Sequence, residues 1–299
     1  MKIGLIDVDS HNFPNLALMK ISAYHKAQGD EVEWWWGWGQ YDRVYMSKVF
    51  DDTYSPDHPE PVNTKELIKG GTGYGLDNKL PDEIEHMYPD YSLYPELTKG
   101  KAYGFLTRGC PNNCPFCIVC AKEGRKSCKV SNLDKWWSGQ KDIVLQDPNL
   151  LACRDHMDLL AQLADSKAWV DMNQGLDARM LTEENIDALN KVRIKRIHFA
   201  WDLMDRSEAI LKGLNMYLDL GKIKDMARRE VYVLTNFNTT MEENLYRIYT
   251  LRDMKYDPYV MVFDKPHAPK EIRRLQRWCN NKRIFKKCPR FEDYDPKRR

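Results

Sequence analysis

Between residues 102 and 263, short apolar stretches alternate with helix-length amphipathic ones, and no other feature of the sequence limits the fold as strongly. The strand candidates are 102–106, 142–146, 169–173, 196–200, 230–235 and 258–263. The helix candidates are 132–138, 150–164, 182–192, 206–220, 240–252 and 269–280. Strands separated by whole helices cannot pair as hairpins, so each crossover brings the chain back to the same edge and the sheet is parallel. Such a sheet is open or curls into a barrel or part-barrel, and its chemistry gathers at the carboxyl ends of the strands. Thr182 ahead of Glu184-Asn185, and Thr239-Thr240 ahead of Glu242-Glu243, read as helix caps with acids in the first turn.

Upstream, residues 2–8 read as a strand that stops at Asp9. Phe13, Leu16, Met19, Ile21 and Tyr24 then fall near helical spacing, and Gly29-Asp30 ends that helix. Further strands are expected at 31–36, 43–49 and 67–69, which makes a small open α/β sheet. Beyond Gly73 the pattern dissolves among Pro81, Pro89 and Pro95. The expected organisation is therefore a Rossmann-like domain over 1–75, a linker over 76–101, a core domain over 102–264 and a basic helix and tail over 265–299.

A chain of 299 residues with 42% hydrophobic and 30% charged side chains has the make-up of a globular protein with a sizeable core. The mean hydropathy of −0.66 and the lack of an apolar run near ~20 residues exclude a spanning helix, so no membrane partner is expected. The N-terminus does not read as a signal peptide, because the apolar stretch after Lys2 is broken at Asp7 and Asp9. A cytoplasmic location is expected, and the eight cysteines then point to metal or catalysis rather than to disulfides. The near-neutral net charge of +2 is unevenly spread. Thirteen of the 46 basic residues and four of the 44 acidic ones lie in 265–299, which carries +9 and leaves −7 for the rest. A basic end on an acidic body suits either a solvated helix or a polyanion such as nucleic acid.

Just past the first strand of the repeat comes Gly104-Phe105-Leu106-Thr107-Arg108-Gly109-Cys110-Pro111-Asn112-Asn113-Cys114-Pro115-Phe116-Cys117. Three cysteines at CxxxCxxC spacing in one loop can converge on one metal centre. A zinc knuckle would require a fourth ligand, for which Cys120 is nearest and Cys128, Cys279 and Cys288 are farther candidates. An iron–sulfur cubane held by three thiolates keeps one iron open.

Cys110, Cys114, Phe116 and Cys117 match the CxxxCxΦC signature, and the region 102–263 resembles the radical SAM superfamily. The resemblance implies a partial (β/α)6 TIM-type barrel and a 4Fe–4S cluster on Cys110, Cys114 and Cys117. The open iron would chelate S-adenosylmethionine, and reduction by a one-electron donor such as flavodoxin or ferredoxin would cleave it to a 5′-deoxyadenosyl radical. Phe116 would pack near the adenine. The remaining SAM contacts are expected from the strand ends: Asp147 and Asn149 after the second strand, Gln174, Asp177 and Arg179 after the third, Asp202 after the fourth and Asn236 after the fifth. A salt bridge from Arg179 to Asp177 or Glu183 is the competing reading for that arginine.

The N-terminal region resembles the cobalamin-binding module that precedes the core in one radical SAM subclass. Asp9-Ser10-His11-Asn12-Phe13-Pro14 carries the Asp and His of that module's loop, with Pro where it has Gly. The resemblance implies that His11 ligates cobalt, that Asp9 orients it, and that Gly70-Gly71-Thr72-Gly73 lies along the corrin tail. Trp34-Trp35-Trp36-Gly37-Trp38 reads as a stacking surface or, in alternate positions, as core. The competing function is a non-catalytic zinc or iron–sulfur module that binds nucleic acid through its basic C-terminus.

Overall fold

Pro14 and Asn15 decide where the first helix begins. The computed structural model, which describes residues 1–10 and 12–297, starts that helix at Leu16 rather than at Phe13. Asn15 is its N-cap, accepting the Leu18 amide at 3.2 Å. The architecture is α/β with parallel sheets, and the chain divides into two units, Met1–Gly104 with Leu133–Ile143, and Phe105–Asn132 with Val144–Arg299.

In the first unit β1 (Lys2–Asp7), α1 (Leu16–Ala27), β2 (Glu31–Trp34), β3 (Arg43–Ser47) and β4 (Leu67–Gly70) follow one another. The sheet order is β2-β1-β3-β4, parallel throughout. The chain thus reverses its direction of travel beside β1, as in doubly wound folds. Both faces are covered, one by Ile3, Leu5, Leu18, Ile21 and Tyr45, the other by Ile6, Tyr41, Val44 and Met46.

The stretch 76–101 is not a linker. After α2 (Asp82–Glu85) and α3 (Pro95–Thr98), β5 (Lys101–Gly104) completes the first unit's main segment. Pro81 and Pro95 stand at the two helix starts, where a missing N–H costs nothing, rather than marking an open connection. Ile84 enters the core with Ile3 and Leu18. Asp90 accepts from Ser22 Oγ and Lys26 Nζ, each at 2.6 Å, and Tyr94 donates to Asp7 Oδ2 at 2.5 Å. The division falls after Gly104 instead of near residue 75, and the helix expected at 132–138 shrinks to a single turn at Leu133–Lys135.

The second unit opens with β6 (Thr107–Arg108), α4 (Val119–Glu123) and β7 (Cys128–Lys129), and then alternates. β8 (Asp142–Leu145), which crosses the division, is followed by α5 (His156–Asp165), β9 (Trp169–Met172), α6 (Glu183–Lys191), β10 (Ile194–Ala200), α7 (Ser207–Leu220), β11 (Arg229–Thr235), α8 (Met241–Asp253) and β12 (Asp257–Val262). The strands β8-β9-β10-β11-β12 lie side by side in chain order, with no reversal. Thr182 and Thr240 are N-caps, each in a reciprocal capping box, with Asn185 and Glu243 respectively.

The segment after residue 264 is not a separate tail either. α9 (Lys270–Asn280) buries Ile272, Leu275, Trp278 and Cys279, and α10 (Lys282–Lys287) buries Phe285. Trp278 meets Phe285 at 4.8 Å, Phe291 at 5.5 Å and Tyr249 at 6.0 Å between ring centres. Burial of this aromatic cluster fixes the segment onto the second unit. Among the described residues no helix is long and apolar enough to cross a membrane.

Candidate functional site

The cysteine loop runs from Gly109 to Ile118, between β6 and α4, and its base is braced from several sides. β6 pairs antiparallel with β7. Gly109 has φ +85°, and a Cβ there would stand 2.2 Å from the Lys126 carbonyl oxygen, so only glycine fits. The Gly109 amide donates to Glu123 Oε2 at 3.0 Å, and Arg108 pairs with Glu123 Oε1 at 2.9 Å. Asp147 holds the incoming strand end: its oxygens accept the Leu106 amide at 2.8 Å, the Thr107 amide at 2.7 Å and Thr107 Oγ1 at 2.6 Å. Burial pushes this carboxyl up to about 7 against those three hydrogen bonds.

The connections after successive strands meet this loop. After β8, Asn149 (1% exposed) points Nδ2 at Cys110 Sγ, 3.6 Å away, and its Oδ1 has no partner among the described residues. After β9, Asp177 accepts from Asn112 Nδ2 at 2.8 Å and is gripped by Arg179, with Nε at 2.9 Å and Nη2 at 2.6 Å. Burial opposes ionisation of Asp177, but the Arg179 and Asn112 hydrogen bonds outweigh it and hold its carboxyl below the usual range. After β10, Arg206 brings Nη1 to 3.6 Å from Cys114 Sγ, a hydrogen-bonding distance for the larger sulfur atom. After β11, Phe237 packs edge-on against Phe116 at 5.4 Å and against Phe263 at 5.0 Å.

Several expected SAM contacts are thus occupied otherwise. Asp147 spends both oxygens on the loop base, and Arg179 makes the salt bridge to Asp177 that was its competing reading. Asp202 accepts the Leu234 amide at 3.2 Å, and burial pushes its carboxyl up to about 6. Beside it the buried Arg247 guanidinium ties the Trp201, Asp202 and Leu234 carbonyls together. Asn236, at φ +63°, donates to the Phe263 carbonyl at 2.8 Å. Gln174 is exposed at the end of β9. Arg206, Asn112 and Phe237 were not singled out from sequence. Their only signal was position, directly after a strand or inside the cysteine motif.

Burial raises the Cys114 and Cys117 thiols, so a metal bound there would have to displace their protons. Among the described residues no three His, Cys, Asp or Glu side chains gather closely enough to hold a single metal ion. Three thiols nonetheless share one braced loop, and two of them, Cys110 and Cys114, each face an N–H donor, from Asn149 and Arg206. Cys120 turns its Sγ to the Cys110 carbonyl at 3.0 Å. Of the remaining candidates, Cys279 is buried against the Pro258 carbonyl at 3.3 Å, Cys288 donates to the Arg290 carbonyl at 3.2 Å, and Cys128 is exposed on β7.

Asp9 accepts the Val49 and Phe50 amides on its two oxygens, at 2.9 and 2.8 Å. Gly71, at φ +95°, lets the chain pass against the Lys48 carbonyl, where a Cβ would stand 2.3 Å from the oxygen. His11 lies outside the described residues. Trp34 and Trp35 line a cleft of about 360 Å³ with Leu5, Asp7, His58 and Tyr94, while Trp36 and Trp38 are exposed.

A second polar group lies on the sheet itself. His198 on β10 has Nε2 3.2 Å from Asp171 Oδ1 of β9 and Nδ1 3.1 Å from Glu230 Oε1 of β11, the latter an ion-pair distance off the ring's hydrogen-bond direction. Tyr232 stacks on the imidazole at 5.2 Å. Burial lowers the His198 pKa, yet the two carboxylates outweigh it and the net direction is upward.

No family model matches the chain, and no curated protein is significantly similar to it.

Proposed function

We propose that this chain is a radical SAM enzyme in which Cys110, Cys114 and Cys117 hold a 4Fe–4S cluster. One observation carries the reading: the connections after four successive parallel strands each send a side chain to the cysteine loop, namely Asn149, Asp177, Arg206 and Phe237. A structural knuckle requires no such convergence, whereas a site at the carboxyl end of a parallel sheet is built from it. The unreversed strand order supports a part-barrel, because right-handed crossovers between strands in chain order put every helix on one face and leave the other to close on itself.

Held by Cys110, Cys114 and Cys117, a 4Fe–4S cluster would supply one-electron reduction of S-adenosylmethionine and so a 5′-deoxyadenosyl radical. The chain's own residues prepare that event. Asn149 Nδ2 and Arg206 Nη1 donate to sulfur and offset the negative charge gathered there. The unpartnered Asn149 Oδ1 is the acceptor for the methionine amine of SAM, and Gln174 is exposed for its other polar atoms. Phe116, Phe237 and Phe263 stack edge-on into an apolar row beside the loop. Asp147, Asp177, Arg179, Asp202 and Asn236 keep the connections in place. The electron comes from a small one-electron carrier of the flavodoxin or ferredoxin class.

The test is anaerobic reconstitution with iron and sulfide, reduction with dithionite, addition of SAM and assay of 5′-deoxyadenosine. The wild-type chain is expected to form the nucleoside and Cys114→Ala to form none. Bound zinc, with no brown chromophore and no cleavage, would overturn the reading.

A further inference from the structure

The basic C-terminal segment is a built surface, and this changes what its charge means. On α9 the buried Ile272, Leu275, Trp278 and Cys279 occupy one side, while Lys270, Arg273 and Arg277, at i, i+3 and i+7, are exposed on the other. α10 repeats the arrangement over six residues, with Phe285 buried and Arg283, Lys286 and Lys287 exposed. Asn281 joins the two helices and caps the second, accepting the Arg283 and Ile284 amides at 3.2 Å. The backbone carrying these cations is therefore fixed by its aromatic underside.

Among the described residues none of these six cations forms an ion pair. The basic groups of the segment that have partners are different ones, Arg290 beside Glu292 at 3.5 Å among them. Lys282 pairs with Asp257 at 2.8 Å, and Arg274 donates to the Tyr294 carbonyl. A surface needed only for solubility intersperses both signs, because like charges repel. Here six unpaired cations of one sign share a rigid face, on a chain whose remaining residues carry a net negative charge.

We propose that the outer face of α9 and α10 docks a nucleic-acid duplex through its phosphates. Single strands are held by exposed aromatic platforms, and this segment has none: Trp278, Phe285, Phe291 and Tyr294 are all buried. An acidic protein partner calls for an apolar or aromatic core in the interface, and no large hydrophobic side chain is exposed along 264–297. What the face offers is spaced positive charge without base-reading geometry, which suits a regular double row of phosphates. This inference does not depend on the cluster, and its test works on protein with or without iron.

The experiment measures fluorescence anisotropy of the full-length chain with a labelled DNA duplex of about 20 base pairs, a single strand of equal length, and polyglutamate as competitor. The duplex should bind more tightly than the single strand. Its affinity should fall about a thousandfold between about 50 and 200 mM salt, as expected when about six phosphates are contacted. Arg273→Gln, Arg277→Gln, Lys286→Gln and Lys287→Gln together should weaken binding more than tenfold and flatten the salt slope by about three to four. The pair Arg277→Gln and Lys287→Gln should give about half that change in slope, which keeps the test usable if the fourfold variant folds poorly. Neutralising Lys212 and Lys222, exposed outside this segment, should change little. Absence of binding at low salt, an unaffected pair variant, or polyglutamate competing as well as duplex at equal charge would each overturn the proposal.

Discussion

Arg206 reaches Cys114 from 92 positions away in the chain. A guanidinium against a cluster thiolate favours the reduced, more negative state by charge and by hydrogen bonding. Arg206→Gln should therefore shift the midpoint potential of the reconstituted cluster downward, and Arg206→Lys should recover part of the shift in an EPR-monitored redox titration. An identical potential in all three proteins would remove Arg206 from the site. The cysteines and Phe116 were legible in the sequence because their spacing is local. Arg206 and Phe237 were not, because their contacts exist only once parallel strands align their carboxyl ends. The position of Asp147 and Arg179 after their strands is legible in the sequence, but the bonds to Thr107 and Asp177 are not, because sequence does not show which partners a carboxylate or guanidinium meets.

At the scale of elements, the cysteine loop depends on its two feet. Gly109→Ala combines a left-handed backbone with a clash against the Lys126 carbonyl, so it should destabilise the protein by more than about 1 kcal/mol in urea unfolding. It should also reduce the iron retained after reconstitution. A variant as stable and as iron-replete as wild type would show that the loop base relaxes freely. The helix caps at Thr182 and Thr240 were readable, because a hydroxyl followed three residues later by a polar acceptor is a local signal. The segment 76–101 was misread for the opposite reason. Its prolines resemble linker punctuation, and only the packed Ile84, Asp90 and Tyr94 reveal that it belongs to a folded unit.

Across the whole molecule, several buried groups hold protons more tightly when folded than when unfolded, Asp147, Asp202 and His198 among them. Burial raises Asp147 to about 7 and Asp202 to about 6, from an unfolded value near 4. His198 is shifted upward too: burial opposes the shift, but Asp171 and Glu230 prevail, with Tyr232 stacked above. A raised folded pKa contributes stability that is complete below the unfolded pKa and is lost as pH rises through the folded one. The two aspartates lose theirs between about pH 4 and 7, and His198 loses its share from about pH 6.5 upward. The urea midpoint should therefore fall from pH 5.5 to pH 8.5, and His198→Gln should flatten the upper part of that decline. A midpoint rising across this range would contradict the assignment. The alternation of elements made the parallel α/β class legible, but the order of strands in the sheet is set by packing that no local pattern encodes. That order has a consequence for synthesis. With β8 to β12 stacked in the sequence in which they leave the ribosome, each new strand can dock on its predecessor without waiting for distant chain. The cysteine loop emerges ahead of all five of these strands, whereas Phe237 and Phe263, which stack in turn from Phe116, follow β11 and β12, so that aromatic row is completed only after the last strand has left the ribosome.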